Sequence, residues 1–237
     1  MTEFTTWRSL VDGQRISAIP DSVDEYMELY WPMNEGSDTT LTDEIGDENG
    51  SIENGGGWTF DTTFDRDVVE VDNGEFIRSD NTFWVGGENA TLIGWLYVED
   101  KGDFNHGFLG AHDDLDDSES NGYYFSPRES GENDRYYHAD SGSHSRIDNS
   151  YDAPEGEWLM YAAAVNGDSA DWWVFNDDGI DHHQSGSQSR GIVNAHIHAG
   201  ERFGASQVHA RVTKIMAAQS TLSESNVAEI WEDTKPF

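Results

Sequence analysis

Trp158-Leu159-Met160-Tyr161-Ala162-Ala163-Ala164-Val165, then Asn166-Gly167-Asp168, then Ser169-Ala170-Asp171-Trp172-Trp173-Val174-Phe175-Asn176: this run decides the fold. Successive side chains of a strand point to opposite faces. Trp158, Met160, Ala162 and Ala164 therefore share one face, and Leu159, Tyr161, Ala163 and Val165 the other. Both sets are apolar, which predicts a strand covered on both sides, in the middle of a sandwich. Asn-Gly-Asp supplies the positive backbone angles of a tight hairpin. The second run stops at Asn176-Asp177-Asp178-Gly179, another cluster of turn formers. The expectation is a central hairpin whose aromatic side chains fill a core between two sheets.

The rest of the chain can supply such a core. Its 237 residues include nine Trp, nine Tyr and eleven Phe, a large apolar volume from few positions. That length suits one all-β sandwich. Cysteine is absent, which removes disulfides, thiol catalysis and cysteine-based metal sites.

Charge is the strongest global signal. Lys plus Arg number 13 against 47 Asp plus Glu, a formal charge of −34, and Lys101, Lys214 and Lys235 are the three lysines. Such a surface repels itself at ordinary salt. At about 1 M salt the Debye length falls to roughly 3 Å and the repulsion is largely screened. The composition resembles that of proteins from extremely halophilic archaea or their viruses, and it predicts loss of structure at low salt. Without a basic stripe to meet phosphates, nucleic acid is not an expected partner. No apolar run approaches a membrane span, so insertion in a membrane is not expected. The opening Met-Thr-Glu-Phe-Thr-Thr-Trp-Arg carries no charged-then-apolar export signal.

Residues 1–25 differ from the rest of the chain. Trp7, Leu10, Val11, Ile16 and Ile19 are apolar, in a segment too short to enclose a core of its own. They form either an arm packed on its own domain or an arm that docks on a neighbouring subunit. The segment resembles the short openings of tailed-virus structural proteins, which implies an anchoring or assembly role and a homo-oligomer. The body is expected over 26–237.

Within that body, motifs succeed one another in a recognisable order. Tyr30-Trp31 leads to Met33-Asn34-Glu35-Gly36-Ser37, Thr39-Thr40-Leu41-Thr42-Asp43, Gly46-Asp47, Asn49-Gly50-Ser51-Ile52 and Trp58. Then come Phe76-Ile77-Arg78, the alternating Ala90–Val98, Gly107–Ala111, Gly122–Ser126, the Trp158–Asn176 hairpin, Ala195–Gly200 and Val208–Ala218. Leu222–Trp231 has helical character, with Thr221 or Ser223 as a cap and Glu224 well placed at its N-terminus. The ordered set resembles a laminin-G-like domain of the concanavalin A-like lectin/glucanase superfamily. The resemblance implies a jelly-roll sandwich of two antiparallel sheets with a short C-terminal helix.

Glycosidases on this fold resemble one another in carrying Glu-x-Asp-x-x-Glu along one strand, and retaining chemistry needs carboxyl groups about 5–5.5 Å apart. Glu70-Val71-Asp72-Asn73-Gly74-Glu75 comes nearest, but Asn-Gly breaks the strand before Glu75. No catalytic residue is assigned. The run Asp113-Asp114-Leu115-Asp116-Asp117 gives Asp113, Asp114, Asp116 and Asp117 as oxygen ligands for calcium or magnesium, a hard-cation donor set. The competing reading is a solvated acidic loop. His196 and His198 share a strand face and invite a metal with His209 as a third ligand; two solvent-facing positions flanking an inward Ile197 explain them better.

The segments 112–121, 126–135, 138–150 and 180–190 read as loops. In and beside them, Arg128, Arg135, Tyr136, Tyr137, Arg146 and Arg190 are candidate ligand contacts, since Tyr and Arg anchor binding surfaces; the competing reading is that Tyr136 and Tyr137 alternate in a short strand, Tyr136-Tyr137-His138, with Ser145-Arg146-Ile147 as another. The expected function is a non-enzymatic surface protein of a halophilic archaeal virion. Its arm would contact other virion subunits, and its loops would meet host cell-surface glycans or glycoproteins. The alternative is a cell-surface or secreted lectin or adhesion module; a glycoside hydrolase ranks last.

Overall fold

A computed structural model describes residues 19–72, 74–82, 89–101, 108–112, 122–126, 134–140, 143–148, 151–187, 195–200 and 209–236. The strands are β1 (Met27–Trp31), β2 (Thr40–Leu41), β3 (Gly50–Glu53), β4 (Gly57–Asp61), β5 (Arg66–Asp72), β6 (Phe76–Ser79), β7 (Asn89–Asp100) and β8 (Leu109–His112). They continue as β9 (Gly122–Ser126), β10 (Arg135–Asp140), β11 (Ser143–Asp148), β12 (Trp158–Asn166), β13 (Ser169–Asn176), β14 (Gly179–Ser187), β15 (His196–Gly200) and β16 (His209–Ala218). Among the described residues the one α-helix, α1 (Glu224–Thr234), comes last. Among the described residues no helix is long and apolar enough to cross a membrane.

The strands form two antiparallel sheets. The first has the order β14-β13-β12-β7-β16-β5-β4, with β1 also paired to β16. The second has the order β11-β10-β9-β8-β15-β6-β3-β2. The all-β sandwich with its short C-terminal helix is thus the architecture expected from the sequence. β12 and β13 form the predicted hairpin, in register from Met160 opposite Phe175 to Asn166 opposite Ser169. Gly167 turns it at φ +58°, a conformation that costs glycine little.

One face of β12 does what its alternation requires. Leu159, Tyr161, Ala163 and Val165 join Trp172, Val174, Leu92, Leu96, Val212, Phe125, Tyr136 and Ile197 in the core between the sheets. Gly186 of β14 lets the sandwich close along one edge, because a Cβ there would lie 2.7 Å from the Ile147 side chain on β11.

The other face corrects the expectation that all the aromatics lie between sheets. Trp158, Met160, Ala162 and Ala164 point outward, together with Trp95, Trp173 and Phe175. α1 covers them with Val227, Ile230 and Trp231, and the start of the described chain covers them with Ile19, Val23 and Met27. Phe175 stacks on Trp231 at 5.9 Å. Period-2 alternation says that both faces are buried; it does not say what buries them. Ser223, one of the two predicted caps, receives the Asn226 N–H, and the Asn226 side chain accepts the Ser223 N–H in return.

Two further expectations can be set against the structure. Ile19, placed in the arm, is buried in the cluster beneath α1 of its own chain, as the arm packed on its own domain would have it at that residue. Trp7, Leu10, Val11 and Ile16 lie outside the described residues. Residues 180–187 of the segment 180–190, read as loop from its Gly, Ser, Gln and His content, belong to the edge strand β14, because pairing with β13 satisfies their backbone whatever the side chains are.

Candidate functional site

Beyond the helix, the outer face of the first sheet changes character. β16 carries His209 and Arg211 there, β5 carries Glu70, and β7 carries Tyr97 and Glu99. Where this charged area meets the apolar one, a cavity of about 410 Å³ opens. Its lining is Thr63, Tyr97, Gly156, Glu157, Trp158, Asn176, Asp177 and Asp178.

The aromatic wall is held from behind. The Trp158 ring meets Phe64 edge-on at 4.9 Å and lies tilted against Tyr97 at 5.6 Å. Its indole N–H donates to Asp61 Oδ2 at 3.1 Å. Asp61 is 2% exposed. Its Oδ1 accepts the Thr63 and Phe64 N–H groups at 2.9 and 3.1 Å. Its Oδ2 also accepts Arg211 Nη1 at 3.0 Å. Burial alone would push the Asp61 carboxyl up; hydrogen bonds from Phe64, Arg211, Trp158 and Thr63 outweigh it and hold the group below the usual carboxylate range. Arg211 lies 5.0 Å from the Tyr97 ring centroid and pairs with Glu99 as well. Burial opposes its charge, but the Asp61 hydrogen bond and the Glu99, Asp61 and Glu70 carboxylates raise its pKa above the ordinary value. Asp61 and Arg211 thus orient the two rings.

The two rims are loops tied to the sheets. Gly156 N–H donates to Val98 O at 2.8 Å, and Lys101 N–H to Glu155 Oε1 at 3.0 Å. Lys101, 1% exposed, places Nζ 2.6 Å from Asp152 Oδ1 and 3.6 Å from Asp134 Oδ1. Asp134 Oδ2 accepts Ala153 N–H and Tyr161 O–H, both at 3.3 Å. A buried cation thereby fastens the 151–157 loop to the core. Opposite it, the turn after β13 is shaped by the Asp178 N–H donating to Asn176 Oδ1 at 2.9 Å, which leaves Asp177 and Asp178 exposed at the rim.

This arrangement can hold a polyhydroxylated ring. Half-buried Tyr97, backed by the nearly buried Trp158 (5% exposed), offers apolar contact, Thr63 and Asn176 offer hydroxyl and amide groups, and Glu157, Asp177 and Asp178 accept hydrogen bonds.

The residues singled out from the sequence lie elsewhere. Tyr136 is fully buried, 6.1 Å from Tyr123 and 5.8 Å from Phe125, because alternation in β10 turns it into the inter-sheet core. It is not a surface anchor. Arg135, Tyr137 and Arg146 have described backbones in β10 and β11, with Tyr137 opposite Arg146, and side chains outside the described set. Arg128, Arg190, Asp113, Asp114, Asp116 and Asp117 lie outside the described residues.

The histidines also depart from expectation. Ile197 is in the core as predicted, but His198 is buried too, its ring 5.1 Å from that of the buried His112. His196 is half-buried, with Nδ1 2.9 Å from Ser79 O. His209 belongs to the other sheet, so the three are not a ligand set. His209 instead lies between Glu70 (Nε2, 3.2 Å) and Glu99 (Nδ1, 3.0 Å), a trio with metal-ligating atom types. The carboxylates approach different ring nitrogens and Arg211 already pairs with both, so the trio is an ion-pair network.

Tyr97, Trp158 and the Asn176-Asp177-Asp178 turn were not singled out from the sequence as a site. The signal available was the aromatic ending of two neighbouring strands beside an acidic turn.

No protein-family model matches the chain, and neither does any curated protein sequence. Solved structures do resemble it. The binding domain of Paraclostridial Mosquitocidal Protein 1 aligns with a TM-score of 0.67 at 15% identity, over 88% of this chain and 52% of that one. The ligand binding domain of botulinum neurotoxin serotype D, in complex with N-acetylneuraminic acid, aligns at 0.62 and 13%, over 92% of this chain and 53% of that one. Domain 4 of AbnA, a GH43 extracellular arabinanase from Geobacillus stearothermophilus, in complex with arabinotriose, aligns at 0.65 and 12%, over 86% and 98%. The chain thus spans about half the length of the toxin structures and nearly all of the arabinanase domain. These likenesses establish the concanavalin A-like sandwich.

Proposed function

We propose that the chain is a non-catalytic carbohydrate-binding module of lectin type, and that the cavity beside Tyr97 and Trp158 takes a sugar ring. One juxtaposition carries this: two orientated aromatic side chains and three hydrogen-bonding carboxylates line a single cavity. Fold-mates of the same architecture in complex with N-acetylneuraminic acid and with arabinotriose support it. The laminin-G-like resemblance points the same way. An extracellular setting, on a cell surface or secreted, fits a glycan partner.

A second reading adds a place for the module. The formal charge of −34 favours a halophilic source, and a virion of a halophilic archaeal virus would use the same cavity on host glycans, anchored through residues before 19. Purified particles that contain the chain would establish this; the three structural neighbours named above do not include a particle component.

The binding reading is tested by a glycan array followed by calorimetry in about molar salt, where surface repulsion is screened. Tyr97→Ala should weaken the best array hit by about 30-fold, the loss expected of an aromatic anchor, with a cooperative melting transition retained. Absence of any hit, or a hit that Tyr97→Ala leaves untouched, would sink it.

A further inference from the structure

We infer that the cavity selects uncharged sugars and excludes those bearing carboxylates, such as sialic and uronic acids. The inference rests on the carbohydrate reading above and adds a ligand class to it. The described lining contains Glu157, Asp177 and Asp178 and no Lys, Arg or His. All three carboxylates lie on exposed rim positions. An ionised carboxylate only accepts hydrogen bonds. A sugar hydroxyl meets it as a donor, and the bond is charge-assisted. A sugar carboxylate meets it acceptor to acceptor and charge to like charge, which an interface penalises strongly.

The neighbouring cations do not rescue an anion. Arg211 lies behind the Tyr97 ring, and its guanidinium is engaged by Asp61, Glu99 and Glu70. The Lys214 ammonium donates to the Thr234 carbonyl and faces the Phe64 ring. Lys101 is buried between Asp134 and Asp152. Side-chain donors in the described lining are the Thr63 and Tyr97 hydroxyls and the Asn176 amide, whose Oδ1 is occupied by the Asp178 N–H. These suit a hydroxyl or ether oxygen. The chain's formal charge of −34 opposes an anion before contact as well.

Matched probes test this on the full chain: neutral oligosaccharides against their uronic-acid or sialylated counterparts, by calorimetry. Each acidic probe should bind at least about tenfold more weakly than its neutral partner, a difference near 1.4 kcal/mol. The gap should widen as salt is lowered from about 1 M. Asp177→Asn with Asp178→Asn keeps the size of both rim side chains. The double variant should strengthen acidic probes about tenfold and weaken neutral ones, which lose charge-assisted acceptors, so that the preference for neutral sugars collapses; a preference left unchanged would overturn the inference. Acidic and neutral probes binding alike in the parent chain, with Tyr97→Ala abolishing both, would overturn charge selection and leave the carbohydrate site standing. Failure of every probe, or indifference to Tyr97→Ala, would remove both.

Discussion

The first sheet has two faces built from the same strands, and they do different work. Toward the second sheet, β7, β12, β13 and β16 present an unbroken apolar surface, Leu92, Leu159, Tyr161, Trp172 and Val212 among it. Away from it, the surface divides. One part is apolar and lies under α1; the other carries Asp61, Glu70, Glu99, His209 and Arg211. The cavity sits on the boundary, with Trp158 belonging to the apolar side and Tyr97 lying against Arg211. A core face tolerates only packing, whereas a boundary offers apolar contact and polar groups within one ring's width. That is why the candidate site lies on the outer face and not on the inner one.

The contrast can be broken most forcefully from within. Trp172→Ala, fully buried between the sheets, should cost about 3–5 kcal/mol, measured by denaturant unfolding. A loss below about 1 kcal/mol would mean that the two sheets do not share this core. Next comes the fastening of the cavity rim. Lys101→Met strands Asp134, 1% exposed, without its cation and should cost about 3–5 kcal/mol. Restoration of stability by adding Asp134→Asn would identify the lone charge as the cause.

Alkaline titration separates the faces by sign. Lys214 sits in a bulge of β16 at φ +51°, and burial, reinforced by Arg66, pushes its amine down to about 7. The unfolded chain then binds the extra proton, so stability rises as pH climbs from about 7 toward the ordinary lysine value of 10.5. Tyr123, Tyr136 and Tyr161, between the sheets, are shifted up, chiefly by burial. Their contribution is complete below the ordinary tyrosine value of 10.0 and is lost as pH rises beyond it. Melting temperature should therefore climb above neutrality and fall at strongly alkaline pH. Lys214→Met should flatten the climb and leave the fall; a variant that keeps the climb would place its origin elsewhere. The smallest effect is at the helix. Ser223→Ala removes the cap and should cost about 1 kcal/mol, loosening the apolar cover while leaving Tyr97 and the cavity in place.

The parts of this architecture legible in the chain are those that depend on neighbours in sequence. Alternation in Trp158–Val165, the Asn166-Gly167-Asp168 turn and the Ser223 cap are local, and the structure contains all three. β14 was not legible, because its strand character comes from pairing with β13 and not from its own polar residues. Tyr136 reads two ways in the chain, as a surface anchor and as an alternating strand residue, and only packing decided that its ring lies in the core. The candidate site draws Thr63, Tyr97, Trp158 and Asp178 from four places in the sequence, and each alone reads as an ordinary turn or strand residue.

By itself, the amino-acid order determined that this is an acidic, aromatic-rich chain of alternating strands with one capped helix, since period, turn chemistry and composition act over a few residues. Tertiary structure alone decided that α1 and Ile19 cover the apolar part of an outer sheet face, and that Asp61 and Arg211 orient two rings beside an anionic rim. Those outcomes depend on which strands become neighbours, and strand pairing joins residues more than a hundred positions apart, as Asp61 and Arg211 are.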